Sequence, residues 1–135
     1  MTIQILLIDD EETQHFIFSN MVQRLSVKAS FHCCNSAQAA SDYLAMCSLD
    51  SFPQIVFVDL KMGDMSGFEF VEIYEKQNYQ SQYPQTKLFI LTSSIIPQDK
   101  KNAEKFTSVS DFLIKPVLLK DLDTLVSKVK LDFTL

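Results

Sequence analysis

Apolar runs alternate along the chain with amphipathic stretches, and this alternation restricts the possible folds more than any other feature. Ile3–Ile8 and Ile55–Val58 are short and almost unbroken apolar runs, which is typical of parallel strands covered on both faces. Stretches with apolar residues at helical spacing follow them, from about residue 11 and from about residue 66. The sequence therefore predicts repeated β-α units.

Five strands and five helices are predicted in strict alternation. The strands are Ile3–Ile8, Val27–Cys33, Ile55–Val58, Leu88–Leu91 and Asp111–Ile114. We expect Ser36 to cap the second helix, Pro97 to begin the fourth, and Asn78–Thr86 to form a polar loop. The predicted fold is α/β: a flavodoxin-like, doubly wound, five-stranded parallel sheet in the order 2-1-3-4-5, with right-handed crossovers and helices on both faces.

Length and composition exclude several classes of protein. A chain of 135 residues with 47% hydrophobic residues fits one globular domain, and a net charge of −5 argues against nucleic-acid binding. The longest apolar runs have four residues, too short for a membrane span or a signal peptide. Three cysteines are an odd number for a disulfide framework, so we expect reduced thiols and a cytoplasmic protein.

Only two glycines occur, Gly63 and Gly67. A Walker A loop and a dinucleotide-binding fingerprint both need other glycine spacings, so neither phosphate cradle is present.

The polar residues that follow the strands point to a different kind of phosphate site. Asp9-Asp10, Asp59, Thr92 and Lys115 stand at four strand ends. Ligands of doubly wound sheets bind at this edge, where the first and third strands are neighbours. Three aspartates brought together there would repel one another, and a hard cation such as Mg²⁺ or Mn²⁺ would relieve the repulsion.

Lys115 and Thr92 add a positive charge and a hydroxyl donor to this carboxylate cluster, which together suit a phosphoryl group. One carboxylate could then act as a nucleophile and form an aspartyl-phosphate. Any one of these residues alone would be explained as a helix cap, a turn residue or a surface charge. Their occurrence at four strand ends on one edge is not explained in that way.

On these residues the chain resembles the receiver domain of two-component response regulators, over essentially its whole length. Leu6–Glu12 is similar to the acidic-pair segment of that family, and Ile55–Glu69 to the segment around the phosphorylated aspartate. Leu91–Ser94 and Phe112–Pro116 resemble the switch hydroxyl and lysine-proline segments. A few extra residues lie in the Asn78–Thr86 segment.

The resemblance implies a role for each site residue. Asp59 would be the phosphoacceptor. Asp10, Asp59 and the main-chain carbonyl of Lys61 would bind Mg²⁺ directly, and Asp9 would act mostly through water. Thr92 would hydrogen-bond a phosphoryl oxygen.

The resemblance also implies that Lys115 would pair with the phosphate and precede a cis bond to Pro116. Phe112 would be the aromatic residue that turns inward when Thr92 moves. Ser94, two residues after the threonine, would tune hydrolysis of the phosphoryl group.

Lys61, two residues after the acceptor, would have the same tuning role. Two features depart from the family: Gly63 replaces a frequent proline, which affects loop flexibility, and the switch aromatic lacks a hydroxyl group.

The implied protein is a stand-alone receiver, with residues 1–135 as one domain and no output domain. It would take its phosphoryl group from a sensor histidine kinase or a histidine phosphotransfer protein and signal by contact with an unknown output protein, without nucleic acid or membrane. It would not be an enzyme beyond catalysing its own phosphorylation and dephosphorylation.

Two alternatives remain: a degenerate receiver that acts as a phosphorylation-independent binding module, and a Mg²⁺-dependent phosphohydrolase with an aspartate nucleophile. The hydrolase usually needs a second carboxylate where this chain has Lys61.

Three further features are interpreted without a role in the chemistry. His15 and His32 are expected to be ordinary surface or partly packed residues. The helix after Pro97 has the thinnest apolar face, with only Ala103 and Phe106, so we expect it to be the most loosely held helix and a candidate for switching. The apolar tail, residues 131–135, is expected to pack back on the domain.

Overall fold

The computed structural model describes residues 1–63, 65–93 and 96–134. Strands and helices are numbered in chain order. The strands are β1 (Ile3–Ile8), β2 (Ala29–Cys34), β3 (Ile55–Asp59), β4 (Lys61–Met62), β5 (Met65–Ser66), β6 (Lys87–Thr92) and β7 (Val109–Ile114). The helices are α1 (Glu12–Gln23), α2 (Ala37–Met46), α3 (Gly67–Lys76), α4 (Tyr79–Gln82), α5 (Pro97–Glu104) and α6 (Leu119–Thr134).

Five of the strands form one parallel sheet in the order β2-β1-β3-β6-β7. This is the predicted flavodoxin-like order, which is confirmed. Ile8 pairs with Val58, Asp59 with Leu91, and Thr92 with Ile114. The carboxyl ends of these strands therefore lie along one edge of the sheet, while β4 and β5 form a small antiparallel ribbon just after β3.

The hydrophobic core lies on both faces of the sheet. Leu6 and Ile8 of β1 pack into one apolar layer, and Ile5 and Leu7 pack into the other. All five residues of β3 are buried. Burial on both faces explains why these central strands are almost continuously apolar instead of alternating with polar residues.

The helix caps agree with the sequence analysis. The Ser36 hydroxyl accepts a hydrogen bond from the Ala39 N–H at 3.0 Å, and Pro97 is the first residue of α5. In α5, Ala103 is the buried residue, and Phe106 just beyond it is partly buried, as the thin apolar face of this helix predicted.

The segment 78–86 differs from the predicted polar loop. It contains the short helix α4, whose Tyr79 is buried against Phe52 with ring centroids 5.2 Å apart. Tyr83 stacks on the same Phe52 ring at 3.7 Å. Asn78 makes the turn into α4 with a φ of 61°, in the left-handed region that asparagine tolerates. A four-residue helix with one apolar residue has no periodic signal, and its Tyr79 is buried by Phe52, a partner distant in sequence.

The apolar residues at helical spacing in α1 include Phe16, Ile17 and Val22, and the structure does not bury all of them. Phe18 and Val22 are buried, whereas Phe16 and Ile17 are 69% and 41% exposed. Phe18 and Val22 lie four residues apart on one side of the helix, so the exposed pair extends past the stripe that faces the sheet.

At the other end of the chain, α6 continues to Thr134, and Phe133 is partly buried against the core. The expected packing of the tail is therefore seen for Phe133, while Leu131 is exposed.

Candidate functional site

Three polar residues are buried among the residues that the structure describes: Asp9, Asp59 and Thr92. They lie at or just beyond the carboxyl ends of β1, β3 and β6. Burial of ionisable groups is costly unless they are paired or hold a ligand. The sheet edge that was predicted to hold the site is therefore also the place where two aspartates are buried.

Lys115 joins two of these acids. Its Nζ lies 3.0 Å from Oδ2 of Asp9 and 3.1 Å from Oδ1 of Asp59. The Lys115 main-chain N–H donates to the carbonyl oxygen of Thr92 at 2.7 Å, which ties the lysine to the end of β6. The bond between Lys115 and Pro116 is cis, as expected.

Asp10 completes the acidic cluster from the loop that follows β1. Its side chain is exposed, and its Oδ2 accepts a hydrogen bond from the Gly63 N–H at 2.9 Å. Carboxylate oxygens of Asp9, Asp10 and Asp59 all lie within 4.8 Å of one another. The predicted convergence of the three aspartates is therefore seen in the structure.

This cluster fits a divalent cation of the Mg²⁺ type. Three carboxylates face one ammonium group, so two negative charges are left without a matching positive charge. Every side-chain donor in the cluster is a hard oxygen, and such donors suit Mg²⁺ rather than zinc.

The ionisation of the site reflects this excess of acid. Burial, and then the neighbouring Asp9, raise the pKa of Asp59 to about 6, although Lys115 partly opposes the shift. Burial lowers the pKa of Lys115, but its hydrogen bonds to Asp9 and Asp59, together with their charges, outweigh burial and raise it above its ordinary value. Lys115 therefore stays charged, and Asp59 is the acid that is most readily stabilised by a further cation.

Gly67 sets the distance between the acceptor strand and the helix that follows. A Cβ atom at this position would lie 2.6 Å from the carbonyl oxygen of Asp59 and 3.1 Å from Cα of Leu60. The Gly67 N–H donates to the Leu60 carbonyl oxygen at 2.8 Å, and Ser66 caps the helix by accepting from the Glu69 N–H. Only a residue without a side chain permits this close approach. The position of Gly67 in the loop after Asp59 indicates a turn, whereas the close approach to the Asp59 main chain is visible only in the structure.

The other predicted site residues lie around the cluster. Lys61 is in β4 with an exposed side chain, and Phe112 is half-buried in β7, in register with Ile90 of β6. Ser94 lies outside the described residues. His15 was not predicted to belong to the site, but its Nε2 contacts the carbonyl oxygen of Asp9 at 2.5 Å. No sequence pattern signals this contact, because a single histidine on a helix has many possible partners.

Solved structures with the same architecture are known. A two-component response regulator from Cytophaga hutchinsonii superimposes with a TM-score of 0.79 at 26% identity, covering 93% of this chain and 95% of that one. The chemotaxis protein CheY4 of Vibrio cholerae gives a TM-score of 0.77 at 22% identity, covering 96% and 99% of the two chains.

Curated relatives include hybrid signal transduction histidine kinases D and L of Dictyostelium discoideum. Kinase D is 34% identical over 107 residues, which are 76% of this chain. Kinase L is 23% identical over 128 residues, which are 93% of this chain. The chain spans about 7% of the length of each of these relatives. Within the described parts of the chain, no helix combines the length and apolarity needed to cross a membrane.

The family model of the response regulator receiver domain matches residues 5–129. The match includes every residue of the acidic cluster, together with Thr92, Phe112 and Lys115. The chain belongs to the response regulator receiver domain family of two-component signalling proteins.

Proposed function

We propose that the chain is a phosphoacceptor that receives a phosphoryl group on Asp59 from a phosphohistidine and then signals through protein contacts. The observation that carries this proposal is the arrangement around Lys115, whose Nζ lies within 3.1 Å of both Asp9 and Asp59. Receiver domains are generally phosphoacceptors rather than enzymes, and they interact with histidine kinases or phosphotransfer proteins. Asp59 is one of three clustered carboxylates near this single lysine, and a carboxylate in such a site suits a nucleophile that takes up a charged group together with a cation.

In the proposed transfer, an ionised carboxylate oxygen of Asp59 attacks phosphorus. The new P–O bond forms while the P–N bond of the phosphohistidine breaks, and the imidazole leaves with the bonding electrons and takes up a proton. Lys115 would pair with a phosphoryl oxygen, and the Thr92 hydroxyl would donate to another. The reaction is thus mainly a matter of position and charge stabilisation.

Receiver domains generally bind Mg²⁺ at an acidic pocket, and the cluster of Asp9, Asp10 and Asp59 matches that chemistry. We infer that Asp10, Asp59 and the main-chain carbonyl of Lys61 would hold the ion, with Asp9 acting through water. When bound, Mg²⁺ supplies positive charge that offsets the charge of the transferred group.

The donor is inferred to dock beside Lys115, on the exposed apolar residues Phe16 and Ile17 of α1 and on Leu118 before α6. Ile17 of this patch lines one groove with Lys115 and with Glu11, the residue that follows Asp10. The occupant we propose is the helix that carries the phosphohistidine, because its apolar residues would cover the patch while its imidazole faces Asp59.

We infer that the output protein binds to the surface formed by α5, β7 and α6. Phosphate on Asp59 would draw Thr92 inward, and Phe112, which is only half-buried, would follow.

The three free thiols support a reducing, cytoplasmic location. Residues 1–135 would act as one receiver domain, because the described helices pack on one sheet.

The test is incubation with acetyl phosphate and Mg²⁺, followed by intact-protein mass measurement. We expect a gain of about 80 Da, the mass of one phosphoryl group, in the wild type and in the control Asp111→Asn, which alters an exposed acid of β7. Asp59→Asn should not gain this mass.

The absence of an adduct and of Mg²⁺ binding in the wild type would support the degenerate binding module instead. Multiple turnovers of small phosphate esters would support the phosphohydrolase, which the lysine at position 61 argues against.

A further inference from the structure

The main chain of Asp9 is held on both sides. Its N–H donates to the Cys34 carbonyl oxygen at 3.0 Å, and its own carbonyl oxygen lies 2.5 Å from Nε2 of His15. β1 ends one residue earlier, at Ile8. The neighbouring strand β2 thus still supplies the partner of the Asp9 N–H, whereas a side chain supplies the partner of its carbonyl oxygen, because buried peptide groups need hydrogen-bond partners.

His15 reaches this carbonyl oxygen from the beginning of α1. A carbonyl oxygen can only accept, so Nε2 of the imidazole must carry the proton. The segment closed by this hydrogen bond, residues 9–15, contains two of the three carboxylates of the acidic cluster. The imidazole thus joins the end of β1 to α1 across the acidic loop, which we define as Asp9–Glu11.

Two other hydrogen bonds of the acidic loop use the carboxylates themselves, while the Glu11 carbonyl oxygen accepts from the main-chain N–H groups of Gln14 and His15 at the start of α1. Oδ1 of Asp9 accepts from the Glu11 N–H at 3.0 Å, and Oδ2 of Asp10 accepts from the Gly63 N–H at 2.9 Å. These bonds engage oxygens of the kind that a cation would need. The His15 bond engages a main-chain oxygen and leaves the carboxylates available, so it can hold the acidic loop in the same way before and after an ion binds.

We propose that His15 is a positioning residue for the cation site: its Nε2–H holds the main chain of the acidic loop so that Asp9 and Asp10 present their carboxylates in a preformed arrangement. This inference rests on the proposed function. Without the imidazole, cation binding would also have to order the loop, so affinity would fall. The acceptor Asp59 is not contacted by His15 in the described hydrogen bonds, so the reaction rate at saturating Mg²⁺ would be unchanged.

The test measures the phosphorylation rate of the full chain with acetyl phosphate across a range of Mg²⁺ concentrations. For His15→Leu we expect the half-saturating Mg²⁺ concentration to rise about tenfold, at the low end of the effects of groups that orient metal ligands, with an unchanged plateau rate. His15→Gln, which keeps an amide donor, should restore most of the affinity. His32→Leu is the matched control, because His32 stacks on Tyr43 at 4.0 Å, and it should leave both values unchanged.

A wild-type half-saturating concentration in His15→Leu would overturn the inference. So would equal losses of plateau rate, affinity and melting temperature in both the Leu and the Gln variants, since they would indicate a purely structural role. If the Leu variant does not fold, histidine-selective ¹⁵N NMR of the wild type decides: a proton on Nε2 with a resonance that shifts on addition of Mg²⁺ supports the role, and a proton on Nδ1 overturns it. A wild type that forms no adduct would instead contradict the proposed function.

Discussion

The helices α3 and α5 follow neighbouring strands of the same sheet, but they are held very differently. α3 begins at Gly67, against the main chain of Asp59, and it buries Phe70, Val71 and Tyr74. α5 follows Thr92, and Ala103 is its buried residue. The helix beside the proposed phosphoacceptor is thus firmly packed, and the helix beside the proposed switch residue is not.

This difference suits a molecule that must hold a reactive group still and also change its surface. Rigid packing on the α3 side keeps the carboxylates in place for the reaction. Elements with little buried apolar surface open at a low cost in free energy and are therefore suited to switching. The two sides are connected, because Phe106 stacks on Phe68 of α3 at 5.9 Å and Glu75 accepts two hydrogen bonds from Ser108.

The largest expected difference comes from removing one aromatic side chain of α3 and, for comparison, one that lies just after α5. Phe70→Ala should lower the free energy of unfolding by about 3–5 kcal/mol, because Phe70 is fully buried. Phe106→Ala, which removes a half-buried ring, should cost only about 1–2 kcal/mol. Urea unfolding of both variants measures the difference. Equal costs would mean that α5 is held as firmly as α3.

Gly67→Ala tests the close approach of α3 to the acceptor strand. The added methyl group would meet main-chain atoms that cannot rotate away, so we expect a loss of about 2–3 kcal/mol in stability and slower phosphorylation by acetyl phosphate. The counterpart on the other helix, Ala103→Gly, should cost about 1 kcal/mol and leave the phosphorylation rate unchanged. A stable Gly67→Ala variant with the wild-type rate would contradict this account of the glycine.

Asp59→Asn should stabilise the protein in EDTA at pH 7.5 by about 1 kcal/mol, less than the full pKa shift converts to because nearby solvent screens the charge. The pKa of Asp59 is about 6 when folded, above the ordinary value of 3.8. Below the ordinary value the acid is neutral in both states and adds nothing. Between 3.8 and about 6 the unfolded state is ionised while the folded state keeps its proton, so stability falls as pH rises through this window and is constant above it.

The gain from Asp59→Asn should therefore be small near pH 4, more than half developed at pH 5 and complete above about pH 7, as measured by melting temperature. Asp111→Asn, which changes an exposed acid, should show no such trend. A gain that is larger at pH 5 than at pH 7.5 would contradict the raised pKa.

The smallest expected effect is a difference in amide hydrogen exchange between the two helices in the wild type. The amides of α5 should exchange a few-fold faster than those of α3, because local opening of α5 exposes less apolar surface. Finding α5 among the best protected segments would rule out its proposed role in switching.

Much of the fold could be predicted because the strongest signals are local. Ile3–Ile8 is apolar except for Gln4 because both faces of β1 are covered, and Asp59 and Thr92 directly follow similar apolar runs. Parallel strands bring their carboxyl ends to one edge, so the convergence of the aspartates follows from strand order alone. The helix α4 and the exposed position of Phe16 could not be predicted in this way, because the burial of these side chains depends on residues that are distant in the sequence.

The sequence by itself determined the α/β alternation, the acidic cluster and the identity of the residues around it. Only the tertiary structure decided that Lys115 bridges Asp9 and Asp59, that Gly67 approaches the main chain of Asp59, and that His15 contacts the carbonyl oxygen of Asp9. The physical reason is that residue type and period set which face of an element is apolar, whereas contacts between distant segments depend on ångström-scale distances that no local pattern encodes.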